Sequence, residues 1–345
     1  MDSSSDLIQN HCKKGIWKAA LELEESERIP LRDEKIKLFA GNSHPDLARA
    51  ISEYLEVPLS RATVSKFTND ETRVQIEESV RGYEVFVIQS MCYPVNDSIM
   101  ELLIMVDALA RASASVVNVV APYFGYAKQE KKTAGREPIS AKLVANLLTV
   151  AGANRVITMD LHAAAIQGFF DIPLDNLFAL PLFEYFYKEK GIVGSDVVVV
   201  SPDAGGVARA RHFAERLNAT MAIIFKRRPE PDKNEIIEIV GDVKGKRAII
   251  IDDMISTGGT LVKGAEMIKS MGATEIYACA THPILAGNAV QRIIESPIDE
   301  VAMTDTIPIP DSALHTKFCK ISVAGMFGES IRRNFYNFSM SKIFF

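Results

Sequence analysis

The most informative segment of the sequence is IDDMISTGGT, which runs from Ile251 to Thr260. The apolar run Ala248 to Ile251 predicts a buried strand, and the periodic segment Leu261 to Met271 predicts the helix that follows. The segment therefore lies where a strand gives way to a helix. Glycines at such a turn let the backbone approach an anion closely, and the N–H groups that open the helix favour negative charge.

The two halves of this segment suit different parts of one ligand. Asp252 and Asp253 are acceptors when ionised, so beside a phosphate they are expected to face hydroxyl groups, a metal ion or a cationic transition state. A solvated acidic turn with a glycine-rich cap is the plain alternative. The pattern is neither a P-loop nor a dinucleotide site, because no lysine follows its glycines and its acids come first. We predict a ribose phosphate site whose phosphate half comprises Ser256, Thr257, Gly258, Gly259 and Thr260.

Short apolar runs alternate with segments of helical period from Lys35 onward, which predicts an α/β fold with parallel sheets and crossover helices. The predicted strands are Ile36 to Phe39, Val85 to Gln89, Val116 to Ala121, Arg155 to Met159, Val197 to Ser201, Met221 to Phe225, Ala248 to Ile251 and Ile276 to Ala280. The predicted helices are Pro45 to Tyr54, Asp97 to Ala112, Ile139 to Val150, Gly206 to Leu217 and Leu261 to Met271.

A weak internal repeat relates the two halves of the chain. The order strand, helix, small-residue turn and strand at Val85 to Ala121 recurs at Ala248 to Ala280. The first copy has QSMCYPVND where the second has DDMISTGGT, so it lacks the glycines and the leading acidic pair. We therefore expect only the second copy to bind a sugar phosphate.

Composition narrows the class of protein. The 345 residues are 48% hydrophobic and 24% charged with a net charge of −5, which predicts a globular chain of about two domains. No basic block of the kind that binds nucleic acid is present, and no apolar run approaches the roughly 18 residues of a membrane span. The cysteines are scattered and the first 30 residues are unlike a signal or transit peptide, so we expect a cytoplasmic enzyme with no nucleic-acid or membrane partner.

The segment IDDMISTGGT resembles the phosphoribosyl-diphosphate loop of the type I phosphoribosyltransferase superfamily, and further segments resemble the ribose-phosphate diphosphokinase family. Those segments are SKFTNDETRVQI (65–76), YAKQEKK (126–132), MDLHA (159–163), SPDAGG (201–206) and IIFKRRPEP (223–231). The resemblance implies two tandem phosphoribosyltransferase-like domains, residues 35–178 and 179–345, each a mostly parallel sheet flanked by helices. Residues 1–34 are an extension outside the resemblance.

The resemblance also implies roles for individual residues. Lys226 and Arg228 would be the catalytic pair of a flexible loop, and Arg228 would also contact substrate. The ATP-binding residues would be Phe67, Asn69, Asp70, Glu71, Lys128, Gln129 and His162. Metal contacts for Mg²⁺ would be His162 and Asp203, with Asp160, Asp171 and Asp175 as further members of the site. Without the resemblance, each is ordinary: a charged run is most often a solvated face, and a lone histidine at a strand end is most often structural.

The implied activity is transfer of the diphosphoryl group of ATP to the anomeric hydroxyl of ribose 5-phosphate, in a homohexamer with shared ATP sites and phosphate or nucleotide effectors. Two alternatives stay open: a phosphoribosyltransferase, which would not explain the adenine-loop resemblance, and a noncatalytic regulatory subunit of the same family. Departures from the family pattern keep the second alternative in view. They are Lys128 for an arginine, Glu130 for an aspartate and Ser256 for an aspartate.

Overall fold

The computed structural model describes residues 35–227, 236–314 and 316–343, which fall into two compact units. The described residues of the first unit lie within 35–178, 306–308 and 322–343, and those of the second lie within 179–305 and 309–321. The extension at residues 1–34 is outside the described residues. None of the helices in the described part of the chain has the length and apolar character that a membrane span needs.

Strands and helices alternate along most of the chain. The strands are β1 (Ile36–Ala40), β2 (Ala62–Lys66), β3 (Thr72–Ile76), β4 (Glu84–Ile88), β5 (Val116–Ala121), β6 (Arg155–Met159), β7 (Leu174–Leu177), β8 (Val197–Ser201), β9 (Thr220–Arg227), β10 (Ile236–Val240), β11 (Arg247–Ile255), β12 (Glu275–Pro283), β13 (Glu300–Thr304) and β14 (Phe318–Ile321). The α-helices are α1 (Pro45–Leu55), α2 (Val95–Arg111), α3 (Ser140–Ala151), α4 (Leu180–Glu189), α5 (Val207–Arg216), α6 (Gly259–Ser270), α7 (Ala289–Ile294) and α8 (Ala324–Phe335). Short 3-10 helices lie at Ala164–Phe169 and Met340–Ile343.

The sheet of the first unit has five parallel strands in the order β1-β4-β5-β6-β7. Its strands are rich in valine and isoleucine because helices cover a parallel sheet and leave little of it exposed. Phe39, Val87 and Val119 belong to one buried core with the inner faces of α2 and α3. Strands β2 and β3 form a separate antiparallel hairpin.

The sheet of the second unit has seven strands in the order β10-β9-β8-β11-β12-β13-β14. Every neighbouring pair is parallel except β9 and β10, which form an antiparallel hairpin. Each residue of β8 is buried, and Val198, Val200 and Ile250 lie in the core of this unit. The confirmed fold class is therefore α/β with mostly parallel sheets flanked by helices.

The internal repeat extends over most of each unit. Strand order β1-β4-β5-β6-β7 in the first sheet corresponds to β8-β11-β12-β13-β14 in the second. The predicted repeat of Val85 to Ala121 with Ala248 to Ala280 corresponds to β4-α2-β5 and β11-α6-β12. The hairpin β2–β3 corresponds to β9–β10, and only the second hairpin joins its sheet, through the pairing of β9 with β8. Corresponding positions in the two units thus carry different loops.

The division of the chain differs from the predicted domains at residues 306–308 and at residues 322–343. Residues 322–343 belong to the first unit, although the sequence grouped them with residues 179–345. The cause is the packing of α8 on α1. Gly328 of α8 approaches Tyr54 of α1 so closely that any Cβ at this position would clash with the tyrosine ring. Helix α8 was not among the predicted helices, and neither was α4 or α7.

Candidate active site

The acidic pair of the IDDMISTGGT segment lies inside a strand and not in the turn that follows it. Strand β11 continues to Ile255 and pairs with β12 as far as Pro283, whereas the sequence predicted an end at Ile251. Asp253 is 4% exposed and Asp252 is partly exposed. Both carboxylates are therefore held on a rigid element at the carboxyl end of the sheet, where ligands bind in open α/β folds.

Arg209 of α5 lies beside this acidic pair. Its Nη1 is 3.6 Å from Asp252 Oδ1 and 3.7 Å from Asp253 Oδ1. Burial, the hydrogen bond with Asp253 and the charge of Asp253 raise the pKa of Asp252 to about 7, and Arg209 opposes that rise. Arg209 cannot be recognised as a site residue from the sequence, because its proximity to the acids depends on how α5 packs against β11.

The turn after β11 ends at the start of helix α6. Gly258 has φ +72° and precedes the first helical residue, Gly259. This left-handed conformation favours glycine, and an added Cβ would lie 3.4 Å from Ile293. The first N–H groups of a helix have no intrahelical acceptor, so the start of α6 offers donors to an anion. Ser256, Thr257 and Thr260 bring hydroxyl groups to the same segment.

Asp203 follows β8, the strand that pairs with β11. Its Oδ1 accepts a hydrogen bond of 3.0 Å from the Gly206 N–H, and its side chain is exposed. The Ser201 hydroxyl donates to the Asp203 carbonyl oxygen at 2.7 Å. The carboxylate is thus oriented by its own turn at the same edge of the sheet as the acidic pair.

The cationic segment lies on the hairpin β9–β10. Lys226 is the penultimate residue of β9, and its backbone pairs with that of Ile237 in β10. Arg228 lies outside the described residues, as do the prolines predicted to form a loop. The extended backbone up to Arg227 shows that the cluster begins on a strand.

The predicted adenine loop is the turn of the hairpin β2–β3. Phe67 is 50% exposed, and Arg73 lies over its ring with 5.9 Å between the guanidinium carbon and the ring centroid. The Phe67 N–H donates to the Glu71 carbonyl oxygen at 2.8 Å, and Asp70 has φ +67°. Asn69 Oδ1 accepts from the Glu71 N–H at 3.4 Å. Hydrogen bonds within the turn therefore fix its backbone, and the turn exposes the aromatic ring of Phe67 beside polar side chains.

A second predicted ATP contact lies between β5 and α3. The Gln129 N–H donates to the Tyr126 carbonyl oxygen at 2.9 Å, and Gln129 Oε1 accepts from the Ser140 hydroxyl at 2.5 Å. Lys128 is exposed. Glu137 accepts from the N–H groups of residues 133 and 134, which lowers its pKa. This connection is therefore ordered by its own side chains and leaves a lysine at its surface.

The acidic and histidine candidates after β6 do not form a cluster. His162 is exposed, and Asp160 is buried with φ +41°. Asp171 forms a 3.7 Å ion pair with Lys142. Asp175 bonds to Arg155 at 2.8 Å and accepts from Asn334 at 3.1 Å, which gives it a structural role. Across residues 35–227, 236–314 and 316–343, no group of three or more His, Cys, Asp or Glu side chains could hold a metal ion.

Comparison with known proteins points to one family. Residues 36–152 match a family model described as the N-terminal domain of ribose phosphate pyrophosphokinase, and residues 226–345 match the phosphoribosyl synthetase-associated domain. The ribose-phosphate pyrophosphokinase of Caldanaerobacter subterraneus subsp. tengcongensis is 55% identical over 309 residues, covering 90% of this chain and 98% of the relative. That of Clostridium perfringens is 52% identical over 310 residues, covering 90% and 97%. The crystal structure of phosphoribosylpyrophosphate synthetase from Mycobacterium smegmatis matches with a TM-score of 0.84 and 42% identity, covering 88% of this chain and 100% of that chain.

Proposed function

This chain belongs to the ribose-phosphate pyrophosphokinase family, and we propose how its residues divide the work of the reaction. The enzyme transfers the diphosphoryl group of ATP to the anomeric hydroxyl of ribose 5-phosphate, giving 5-phosphoribosyl 1-diphosphate and AMP. The observation that carries the proposed division is the junction of β11 and α6. One continuous segment there holds two carboxylates on a strand and opens a helix after a left-handed glycine.

The junction would bind ribose 5-phosphate through both of its halves. The helix start and the hydroxyls from Ser256 to Thr260 would bind the 5-phosphate, because backbone N–H groups and the helix dipole favour an anion. Asp252 and Asp253 would accept hydrogen bonds from the ribose hydroxyls. Arg209 supports this role because its positive charge favours ionised carboxylates.

The transfer itself needs positive charge near the β-phosphorus of ATP. Lys226 and Arg228 would neutralise charge as AMP departs, since phosphoryl transfer depends chiefly on positioning and electrostatics. The position of strands β9 and β10 at the edge of the sheet supports this assignment, because Lys226 then lies outside the central strands of the core. No strong general base is assigned, and positioning of the anomeric hydroxyl would serve in its place.

ATP would bind through the first unit. Phe67 would stack on adenine, with Asn69, Asp70 and Glu71 bonding at its edge, and the half-exposed ring of Phe67 supports this role. Lys128 and Gln129 would contact the phosphates or the base. The ammonium group of Lys128 is a point charge, whereas the guanidinium group of an arginine is a planar fork that can make two parallel hydrogen bonds. The contact of Lys128 with phosphate would therefore be less directional.

Mg²⁺ is the cofactor that we propose for the triphosphate. Asp203 is an exposed carboxylate at the edge of the sheet that carries Asp252, and carboxylate oxygen is a preferred ligand of this ion. Asp160 and Asp171 are further oxygen donors, and His162 would act through a water molecule or on a second cation. Because Mg²⁺ commonly keeps several waters, it does not need a cluster of three protein ligands. When bound, the ion would screen the charge of the triphosphate.

We also propose a homohexamer with ATP sites shared between subunits, phosphate or nucleotide effectors, and a cytoplasmic location. Exposed apolar side chains along α3 support assembly, with Leu143 at 58%, Leu147 at 39% and Val150 at 85% exposure. Leu143 and Leu147 are four positions apart, and Leu147 and Val150 are three apart, so all three side chains lie on one face of the helix. Light scattering of the purified chain tests the assembly directly.

One assay separates the enzyme from the alternatives. The purified protein is incubated with ATP, Mg²⁺ and ribose 5-phosphate, and AMP is measured. We expect AMP and 5-phosphoribosyl 1-diphosphate in equal amounts. A phosphoribosyltransferase would release no AMP, and a regulatory subunit would be inactive unless an active partner were added. Either result would contradict the proposed division of roles.

A further inference from the structure

The segment that follows β12 holds the carbonyl groups of the sugar-phosphate loop. Three consecutive carbonyl oxygens, those of residues 255, 256 and 257, each accept a hydrogen bond from it. The donors are the N–H of Leu285 at 3.0 Å, the N–H of Ala286 at 3.0 Å and Nη1 of Arg292 at 2.9 Å. The third bond differs from the others because a side chain makes it, so a single substitution can remove it.

The guanidinium of Arg292 also lies against the start of α6. An added Cβ at Gly259 would be 3.4 Å from Arg292 Nη1, so the cation covers one face of this glycine. Gly259 has no positive φ, so its backbone conformation does not require glycine, and an added Cβ would make ordinary van der Waals contact with the guanidinium. Ile293, the next residue of α7, packs against Gly258 in the same way. Arg292 therefore lies against the loop at two places, the Thr257 carbonyl oxygen and Gly259.

A carbonyl oxygen that faced the bound phosphate would repel it. The bond from Arg292 fixes the Thr257 carbonyl towards α7, and this orientation favours loop N–H groups on the side of the ligand. The guanidinium adds a full positive charge next to the helix start, where the dipole already favours an anion. Both effects act on the same part of the ligand.

We propose that Arg292 is a positioning residue that sets the affinity for the 5-phosphate of the sugar substrate. The proposal rests on the proposed function of the loop as the ribose 5-phosphate site. Arg292 is exposed, lies on α7 and bonds to the loop at Thr257, so we expect its influence to be on binding and not on the transfer step.

The test compares Arg292→Leu, Arg292→Lys and the native protein in steady-state kinetics. For Arg292→Leu we expect the KM for ribose 5-phosphate to rise about threefold to tenfold, the range of one lost hydrogen bond. The kcat and the KM for ATP should stay within about twofold of native values, because only ground-state binding at the sugar site is lost. Arg292→Lys should recover most of the affinity, since it keeps a donor and the charge.

Arg211→Leu is the matched control, because Arg211 is an exposed arginine on α5 that pairs with Glu215. It should leave both KM values unchanged, and all variants should melt within about 2 °C of native protein. An unchanged KM for ribose 5-phosphate in Arg292→Leu, or a fall in kcat alone, would overturn the proposal. Thr260→Val separates failure of the Arg292 proposal from failure of the proposed function. If both Thr260→Val and Arg292→Leu leave the KM for ribose 5-phosphate unchanged, the loop is not the sugar-phosphate site.

Discussion

The protonation state of Asp252 is expected to control the affinity for ribose 5-phosphate. Its carboxylate must be ionised to accept two ribose hydroxyls, yet burial and Asp253 raise its pKa to about 7. We therefore expect the KM for ribose 5-phosphate to fall by about tenfold as the pH rises from 6 to 8. Initial rates at saturating ATP across this range measure the effect. The variant Asp252→Asn lacks this carboxyl, so any pH dependence of its KM comes from other groups, including the phosphate of the substrate. The prediction fails if the KM of both proteins depends on pH in the same way.

The same variant tests the pKa through stability. A raised carboxyl pKa means that the folded protein favours the protonated form, so the stability from this group is fully present below its ordinary pKa of 3.8 and is lost as the pH rises from there through about 7. Without substrate, Asp252→Asn should therefore melt at a higher temperature than native protein at pH 8, and the difference should shrink steadily as the pH falls towards about 4. A lower melting temperature at pH 8 would show that Arg209 outweighs burial.

Gly258 has a left-handed backbone conformation and directly precedes the helix start proposed to bind the 5-phosphate. Its φ of +72° costs a residue with a Cβ about 1 to 2 kcal/mol, so Gly258→Ala should lower the free energy of unfolding by that amount. It should also raise the KM for ribose 5-phosphate, because the turn presents the helix start. Gly245→Ala is the control: its φ is +71° and nothing lies within 4 Å of an added Cβ. Equal losses of stability with a raised KM only in Gly258→Ala would support the assignment.

At the scale of elements, periodicity predicted eight of the twelve strands in the two described sheets, did not predict β7, β10, β13 and β14, and misplaced the acidic pair. The sequence ended β11 at Ile251 because charged residues were assigned to a turn, whereas the strand continues to Ile255. Asp253 is buried there beside Arg209, which lies on α5, far away in sequence. The contributions of Arg209 and Arg292 were missed for the same reason: each depends on a packed helix bringing a side chain to a distant segment.

Strand β9 carries Lys226, one of the two cations proposed to act in transfer. Lys226→Ala should lower kcat by about 10² to 10³, as loss of one preorganised charge donor does elsewhere. Its KM for ribose 5-phosphate should change little, because that site lies on β11 and α6. Lys263→Ala removes an exposed lysine of α6 and serves as the control. If Lys226→Ala kept native turnover in the AMP assay, the catalytic role would be withdrawn.

At the scale of the whole molecule, α8 is one of three described helices that the sequence did not predict, and its charged residues explain why. Helix α8 carries Glu329, Arg332 and Arg333, and charged residues normally indicate a solvated face. Here the three are 2%, 5% and 6% exposed, because the arginines bond to Glu329 at 2.8 Å each and Tyr54 of α1 joins them. Burial and the Glu329 carboxylate raise the pKa of Tyr54. A buried network of this kind is defined only by the packed structure.

This network makes Glu329 decisive for the attachment of α8 to the first unit. Glu329→Gln leaves two buried guanidinium groups without a counter-charge, so we expect the first unit to lose about 3 to 5 kcal/mol of stability. Hydrogen exchange of the α1 and α8 amides measures that loss separately from the second unit. Glu266→Gln, on the exposed face of α6, should change exchange by no more than about 0.5 kcal/mol. Because Glu329 lies in neither proposed substrate site, the KM values at low temperature should stay near native, and a raised KM with unchanged exchange would assign Glu329 to binding instead.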